Sequence, residues 1–486
     1  MNQITDYEPK LVWKYFSELS AIPRESGNEK KVVDYLQKLA ESRGYHFTRD
    51  EIGNIVIKVP GSKGQEKSKT VILQSHVDMV CVKTAESQHN FSKDGLVLEI
   101  QDGWLTAKDT TLGADDGIGV AASLAIMEDP DSIHPPLEIC VTVDEEVGMT
   151  GAMHLNPELL TGRTMINLDS MDLGIFYIGC AGGGDCIITF PTPRKKAPKG
   201  IFCILRISGL AGGHSGLEII KNSANANKLL ARILYKAIDF NLQLVTIKGG
   251  TKRNVIPSEA HASFVIPLDR YGDFQKLLEN EQNDACSEFY KTDPDIKYDF
   301  GTLETKPENA IQKAESDSLI RLLMALPHGV LGMSRDVPNL VETSNNMGII
   351  DDRKDFVTIV CTHRSSVKQA KLNVRSQITA AVELTDASVA IEHDYPGWKP
   401  NLESPVLNLL MGVHEELFGV PGTPKAVHAG LETGLLLEKI PNLDIISFGP
   451  QVEGAHSVDE RMDIESVDKF YKLLKGLLTK LTAEKG

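Results

Sequence analysis

Cysteine is scarce. There are 7 in 486 residues, and none belongs to a Cys-x-x-Cys pair. A disulfide framework or a thiolate zinc site is therefore not expected; reduced, mostly buried thiols are. Long apolar runs are also missing: no stretch offers the roughly 20 apolar residues that a membrane-spanning helix needs. The opening "MNQITDYEPK" lacks the basic and apolar regions of a secretion signal, which leaves the cytoplasm as the expected compartment. Basic residues are in deficit. Lys and Arg number 51 against 67 Asp and Glu, a formal net charge of −16. No nucleic-acid or membrane partner is expected from such a chain. Most of the acids simply solvate a surface, so only their placement carries information.

The length suggests two or three domains with a substantial core. Up to about residue 180, apolar strand-like runs alternate with amphipathic segments, as in an α/β domain with a substantially parallel sheet. "VILQSHVDMV", "LEICVTVDEE" and "TMINLDS" read as buried strands ending in acids, and "EKKVVDYLQKLAESRG" and "GIGVAASLAIMED" as helices. A Pro- and Lys-rich stretch, "PTPRKKAPKG", and a later irregular one, "EHDYPGWKPN", bracket a different region. After it, helix and strand character returns. The expected organisation is one α/β domain, 1–186 with 392–486, interrupted by an inserted α+β domain, 187–391.

In "LQSHVDMV", strand alternation puts His76 and Asp78 on one face. Asp115 and Asp116 sit side by side in "TTLGADDGIG", before a helix whose start favours anions. One aspartate suffices as a cap, so the other is spare. "VTVDEEVGMTGA" ends an apolar strand in Asp144, Glu145 and Glu146; "NLDSMD" adds Asp169; "GPQVEGAHSVDERM" adds His456. A solvated loop or a cap explains each alone. In the expected fold, four strand ends bring them to one rim, where such sheets hold ligands. Asp, Glu and His without Cys suit a hydrolytic divalent centre, zinc foremost, with manganese or cobalt possible. Two such ions would balance Asp115, Glu146, Asp169 and a hydroxide, whereas the same acids without metal would repel and take up protons.

The strings "SHVDMV", "TLGADDGIG", "DEEVGMTGA", "NLDSMD" and "EGAHSVDERM", in this order, resemble the di-zinc exopeptidases grouped with aminoacylase, carboxypeptidase G and carnosinase. The resemblance runs through nearly the whole chain. It implies that His76 and Asp169 hold one zinc, Glu146 and His456 the other, and that Asp115 bridges both. It also makes Asp78 the partner behind His76 and Glu145 the general base. Two zinc ions per subunit are implied, replaceable by cobalt or manganese. The implied architecture is a catalytic domain interrupted by a lid.

The resemblance extends to the insert. "SGLAGGHSGLEI" supplies His214, which in that family steadies the oxyanion; "KRNVIPSE" supplies Asn254 for substrate contact; "CTHRSS" supplies Arg364 for the substrate carboxylate. Glu432 in "HAGLETG" is a further candidate, for the substrate ammonium. Rival motifs fail: Leu217 breaks a Gly-x-Ser-x-Gly elbow centred on Ser215, and Phe418 replaces the second histidine of a zincin helix. The implied activity is hydrolysis of dipeptides with a free N-terminus, including carnosine-like Xaa-His substrates. The alternatives are an N-acyl amino acid deacylase on the same scaffold and a non-catalytic binding relative. A homodimer formed through the lid is the expected assembly.

Overall fold

The computed structural model describes residues 3–483. The chain forms two compact units. The first comprises residues up to Gly179, Pro400–Ala426 and the chain from Leu431; the second comprises Cys180–Lys399 with Val427–Gly430.

The first unit holds an eight-stranded sheet whose strands, named by first residue, run 46-55-137-71-164-444-175-423. Its centre is parallel: Leu137–Thr142, Val71–His76, Thr164–Asn167 and Asp444–Ser447 pair side by side in one direction. Outside that centre, Ile55–Val59 and His46–Arg49 pair antiparallel, so the sheet is mixed rather than uniformly parallel. Every residue of Val71–His76 and Leu137–Thr142 is buried. This is why both read as continuous apolar runs instead of alternating ones. The helix Lys30–Ser42 is amphipathic and buries Val32, Val33, Leu36 and Ala40. Ala114–Glu128 differs, with nearly every residue buried, and it packs on Lys10–Ser20 and on Val71–His76. The last helix, Ile464–Leu481, starts where the Asp463 carboxylate accepts the Glu465 and Ser466 N–H groups. Among the described residues no helix is long and apolar enough to cross a membrane.

The second unit is built on one nine-stranded sheet, in the order 297-201-260-243-341-356-182-388, with Gly329–Met333 also on Val341–Asp352. Its pairings are antiparallel. The helices Ala226–Lys236, Tyr271–Glu288, Lys313–Ala325 and Lys368–Glu383 supply part of a separate apolar core. The domain edges expected at 187 and 391 both fall inside strands. Gly182–Pro191 pairs with Phe356–Ser365 and with Ser388–Tyr395, so the second unit takes both strands whole.

Candidate metal centre

The parallel strands of the first unit deliver the acids and histidines. His76 closes Val71–His76, and Glu145 and Glu146 open a helical turn, Glu145–Gly148, just beyond Leu137–Thr142. Asp169 follows Thr164–Asn167, and His456 lies in the loop beyond Asp444–Ser447. These are the carboxyl ends of neighbouring parallel strands.

His76 is buried. Its Nε2 lies 3.0 Å from Asp115 Oδ1 and 3.6 Å from Asp169 Oδ1. Its Nδ1 faces Asp78 Oδ1 at 3.3 Å. The other oxygen of Asp115 lies 3.1 Å from His456 Nε2, which in turn is 3.0 Å from Glu146 Oε2. Asp115 thus touches a histidine through each oxygen. Asp116, joined to it by a cis peptide bond, does something else. Its Oδ1 accepts the Gly119 N–H at 3.2 Å and its Oδ2 accepts the His76 N–H at 3.2 Å. The adjacent acids have separate tasks, one facing the histidines and one capping the helix. Asp78 is fully buried and accepts the Ser26 hydroxyl at 2.7 Å and the Glu145 and Glu146 N–H groups at 3.0 and 3.2 Å. It therefore orients His76 and the turn carrying both glutamates.

The electrostatics are those of a site that wants cations. Burial pushes Asp169 up to about 7, helped by the charge of Asp115. Burial likewise lifts Glu145 well above the carboxylate range, with Asp169, Glu432 and Glu146 adding repulsion. Hydrogen bonds to Asp115 and Glu146 push His456 up to about 10. Burial opposes charge on His76, yet Asp169, Asp115 and Asp78 hold its pKa well above the ordinary value. Asp115 and Asp78 overcome their own burial through the histidines; Asp78 falls to about 2, and Asp115 lies far below its usual range. Protons substitute here for missing positive charge.

The donor set fits divalent ions. Ligand atoms of His76, Asp116 and Asp169, of His76, Glu145 and Glu146, and of Asp115, Glu146 and His456 lie within 4.8 Å of one another in each group. Glu146 Oε1 is buried without a hydrogen-bond partner, an orphan that a cation would satisfy. Imidazole and carboxylate without thiolate suit zinc and its first-row neighbours.

The remaining site candidates fall elsewhere. In the second unit, Arg364 is 7% exposed and donates from Nη1 to Tyr395 Oη at 2.9 Å, while its buried Nε has no partner. Among the described residues no carboxylate forms an ion pair with Arg364. Its neighbours are neutral. Burial and the Arg364 charge lower His214, and they lower His428 to about 3. His214 Nδ1 accepts the Gly216 and Leu217 N–H groups at 3.2 and 3.1 Å, so the ring proton sits on Nε2 as a donor. Asn254 is exposed, and its backbone carbonyl accepts the Ser215 N–H at 2.9 Å, tying its turn to the His214 loop. Glu432 belongs to the first unit and is 1% exposed. Its Oε2 accepts Gln74 Nε2 at 2.8 Å and the Thr142 hydroxyl at 2.6 Å, so it is sealed within the strand ends rather than open to solvent.

Sequence reasoning missed the supports. Arg24, buried, donates to the carbonyls of Val77, Asp78 and Gly113. Asp185, fully buried in the second unit, holds Arg253 Nη1 at 2.8 Å and the Thr362 hydroxyl at 2.6 Å, which fixes the turn carrying Asn254. An isolated Arg or Asp in an apolar stretch shows no pattern that separates it from a surface charge.

Comparison with known proteins follows the same outline. The model of peptidase family M20/M25/M40 matches residues 72–480. The chain belongs to that family. It is thereby a hydrolase of the metallopeptidase kind, with the family's fold. It is similar to the cytosol non-specific dipeptidase of Escherichia coli (strain K12), 37% identical over 486 residues and spanning 100% of both chains. It is also similar to the crystal structure of aminoacylhistidine dipeptidase from Vibrio alginolyticus, with 36% identity, a TM-score of 0.94, and coverage of 99% of this chain and 98% of that one. An aminopeptidase from Bacillus cereus, 16% identical with a TM-score of 0.56 over 97% of this chain and 98% of its own, shares the fold.

Proposed function

We propose that this M20 peptidase is a cytoplasmic di-zinc dipeptidase, acting on dipeptides with a free N-terminus, Xaa-His dipeptides among them. The observation that carries the reading is Asp115, whose two oxygens face His76 and His456, with Asp169 beside one histidine and Glu146 beside the other. These five residues would hold two ions, zinc by preference and cobalt or manganese in its place. The names of the full-length relatives support the dipeptide assignment.

When bound, the metal pair supplies a Lewis acid at the scissile carbonyl and brings a water's pKa down to about 7. The chain's own residues do the rest. Glu145 takes a proton from the attacking water and passes one to the leaving amine. Its carboxyl is lifted by burial, which brings it closer to the operating pH. Asp78 orients His76 and, through two N–H groups, the turn that carries Glu145. His214 offers its Nε2–H to the carbonyl oxygen as charge develops there. Arg364, a buried guanidinium with no ion-paired carboxylate among the described residues, takes the substrate carboxylate. Asn254 contacts the substrate, and Glu432 contributes negative charge towards the ammonium end. The second unit acts as a lid, and the protein is a homodimer.

The test is Glu145→Gln. Metal content should stay at the wild-type level while turnover on a free dipeptide drops by roughly 10²–10⁴. Normal turnover in the variant would refute the assignment. Faster hydrolysis of the N-acetylated dipeptide than of the free one would instead favour a deacylase.

A further inference from the structure

We propose that Glu460 is a positioning residue for the metal centre, fixing Asp115 and His456 relative to one another and so setting the affinity for both ions. This rests on the two-metal reading above.

Glu460 lies four residues after His456, at the end of the same loop, and is 2% exposed. Its Oε2 accepts the N–H groups of Leu112 at 2.8 Å and Gly113 at 2.9 Å. Its Oε1 accepts those of Ala114 at 2.8 Å and Asp115 at 3.4 Å. Successive backbone N–H groups turned to one point make a concavity for an anion. Here the anion comes from the chain itself. Gly113 has a left-handed φ of 65°, and a Cβ there would stand 2.5 Å from an Arg24 guanidinium nitrogen. Arg24 holds the same loop from the other side, through the Gly113 carbonyl, and also holds the carbonyls of Val77 and Asp78. Three segments that carry His76, Asp115 and His456 therefore meet at one carboxylate and one guanidinium.

The chemistry requires an acid. A buried carboxylate is costly unless hydrogen bonds satisfy it, and four N–H groups do so. A glutamine has one acceptor oxygen, so its amide would confront two of those N–H groups. Groups that orient metal ligands typically change affinity by about 10–100-fold when removed. Asp115 is the ligand shared by both ions, so both should weaken together.

The experiment measures zinc affinity of the full-length protein by competition with a chromogenic chelator. It compares wild type, E460Q, E460D and E453Q; Glu453 lies in the same loop, exposed and paired with Arg461. E460Q should bind both ions about 10–100-fold more weakly while remaining folded in chelator. E460D keeps the charge but reaches fewer N–H groups and should lie between E460Q and wild type, and E453Q should match wild type. Wild-type affinity in a folded E460Q or E460D overturns the proposal. Loss of the fold in both variants also overturns it, because Glu460 would then hold the unit rather than the site. A wild-type protein that binds no zinc would refute the two-metal reading instead.

Discussion

The two units solve opposite electrostatic problems. At the strand ends of the first, carboxylates crowd together until some must hold protons, with Asp169 pushed up to about 7. In the second, Arg364 is buried with a free Nε, neutral histidines beside it and, among the described residues, no acid paired to it. Uncompensated charge of either sign is expensive inside a protein. The first arrangement makes sense with cations and the second with an anion. Under the proposed function, metal ions would answer the first and a substrate's terminal carboxylate the second.

The comparison breaks most completely at Asp115. Asp115→Ala should remove the ligand shared by both ions, and both metal content and dipeptide hydrolysis should fall to the level of the chelated protein. Retention of one full equivalent with wild-type activity would show that Asp115 is not shared. Next in size is Arg364→Met. Losing a buried charged hydrogen-bonding group costs about 1.5–3 kcal/mol, so KM for a dipeptide should rise about 10–150-fold. The C-terminal amide of the same dipeptide, without the carboxylate, should respond far less, and an equal response would contradict the anion-receiving role.

A pH series sharpens the cationic side. In metal-free protein His456 has its pKa raised from 6.5 to about 10, so its contribution is full below 6.5 and is lost as pH rises through about 10. Asp169 and Glu432, each raised to about 7, also favour the protonated folded state, and that benefit is lost as pH rises towards 7. All three act in one direction. The melting temperature of chelated protein should fall between about pH 5.5 and pH 8.5 while the zinc-loaded protein holds nearly steady, widening the gap. A gap that narrows would contradict the assignment. The smallest effect is expected at Tyr395→Phe, which removes the hydroxyl that Arg364 Nη1 holds. A net hydrogen bond of about 0.5–1.5 kcal/mol predicts a rise in KM of roughly 2–12-fold, without change in metal content.

Much of the candidate metal centre was legible because its residues sit where apolar strands stop. A histidine or acid directly after a buried run such as "VILQ" or "LEICVT" is conspicuous, and the parallel order of those strands brings the ends together. The supports were not legible. Glu460 and Arg24 act on backbone groups, and any loop has N–H and C=O groups to offer. The edge expected at 187 followed the Pro- and Lys-rich stretch "PTPRKKAPKG", whereas the strand just ahead of it, Gly182–Pro191, pairs whole into the second sheet. Glu432, a candidate for the substrate ammonium, showed nothing of its surroundings in the sequence. Only the fold reveals that Gln74 and Thr142, from two adjacent strands, enclose it.

The most direct test of the account is a metal titration. Protein stripped by chelator is titrated with zinc while bound metal and hydrolysis of a free dipeptide are followed together. Two equivalents should bind per chain, with no hydrolysis in the stripped protein and full recovery as the second equivalent binds. Full activity without metal, or saturation at a single equivalent, would contradict it.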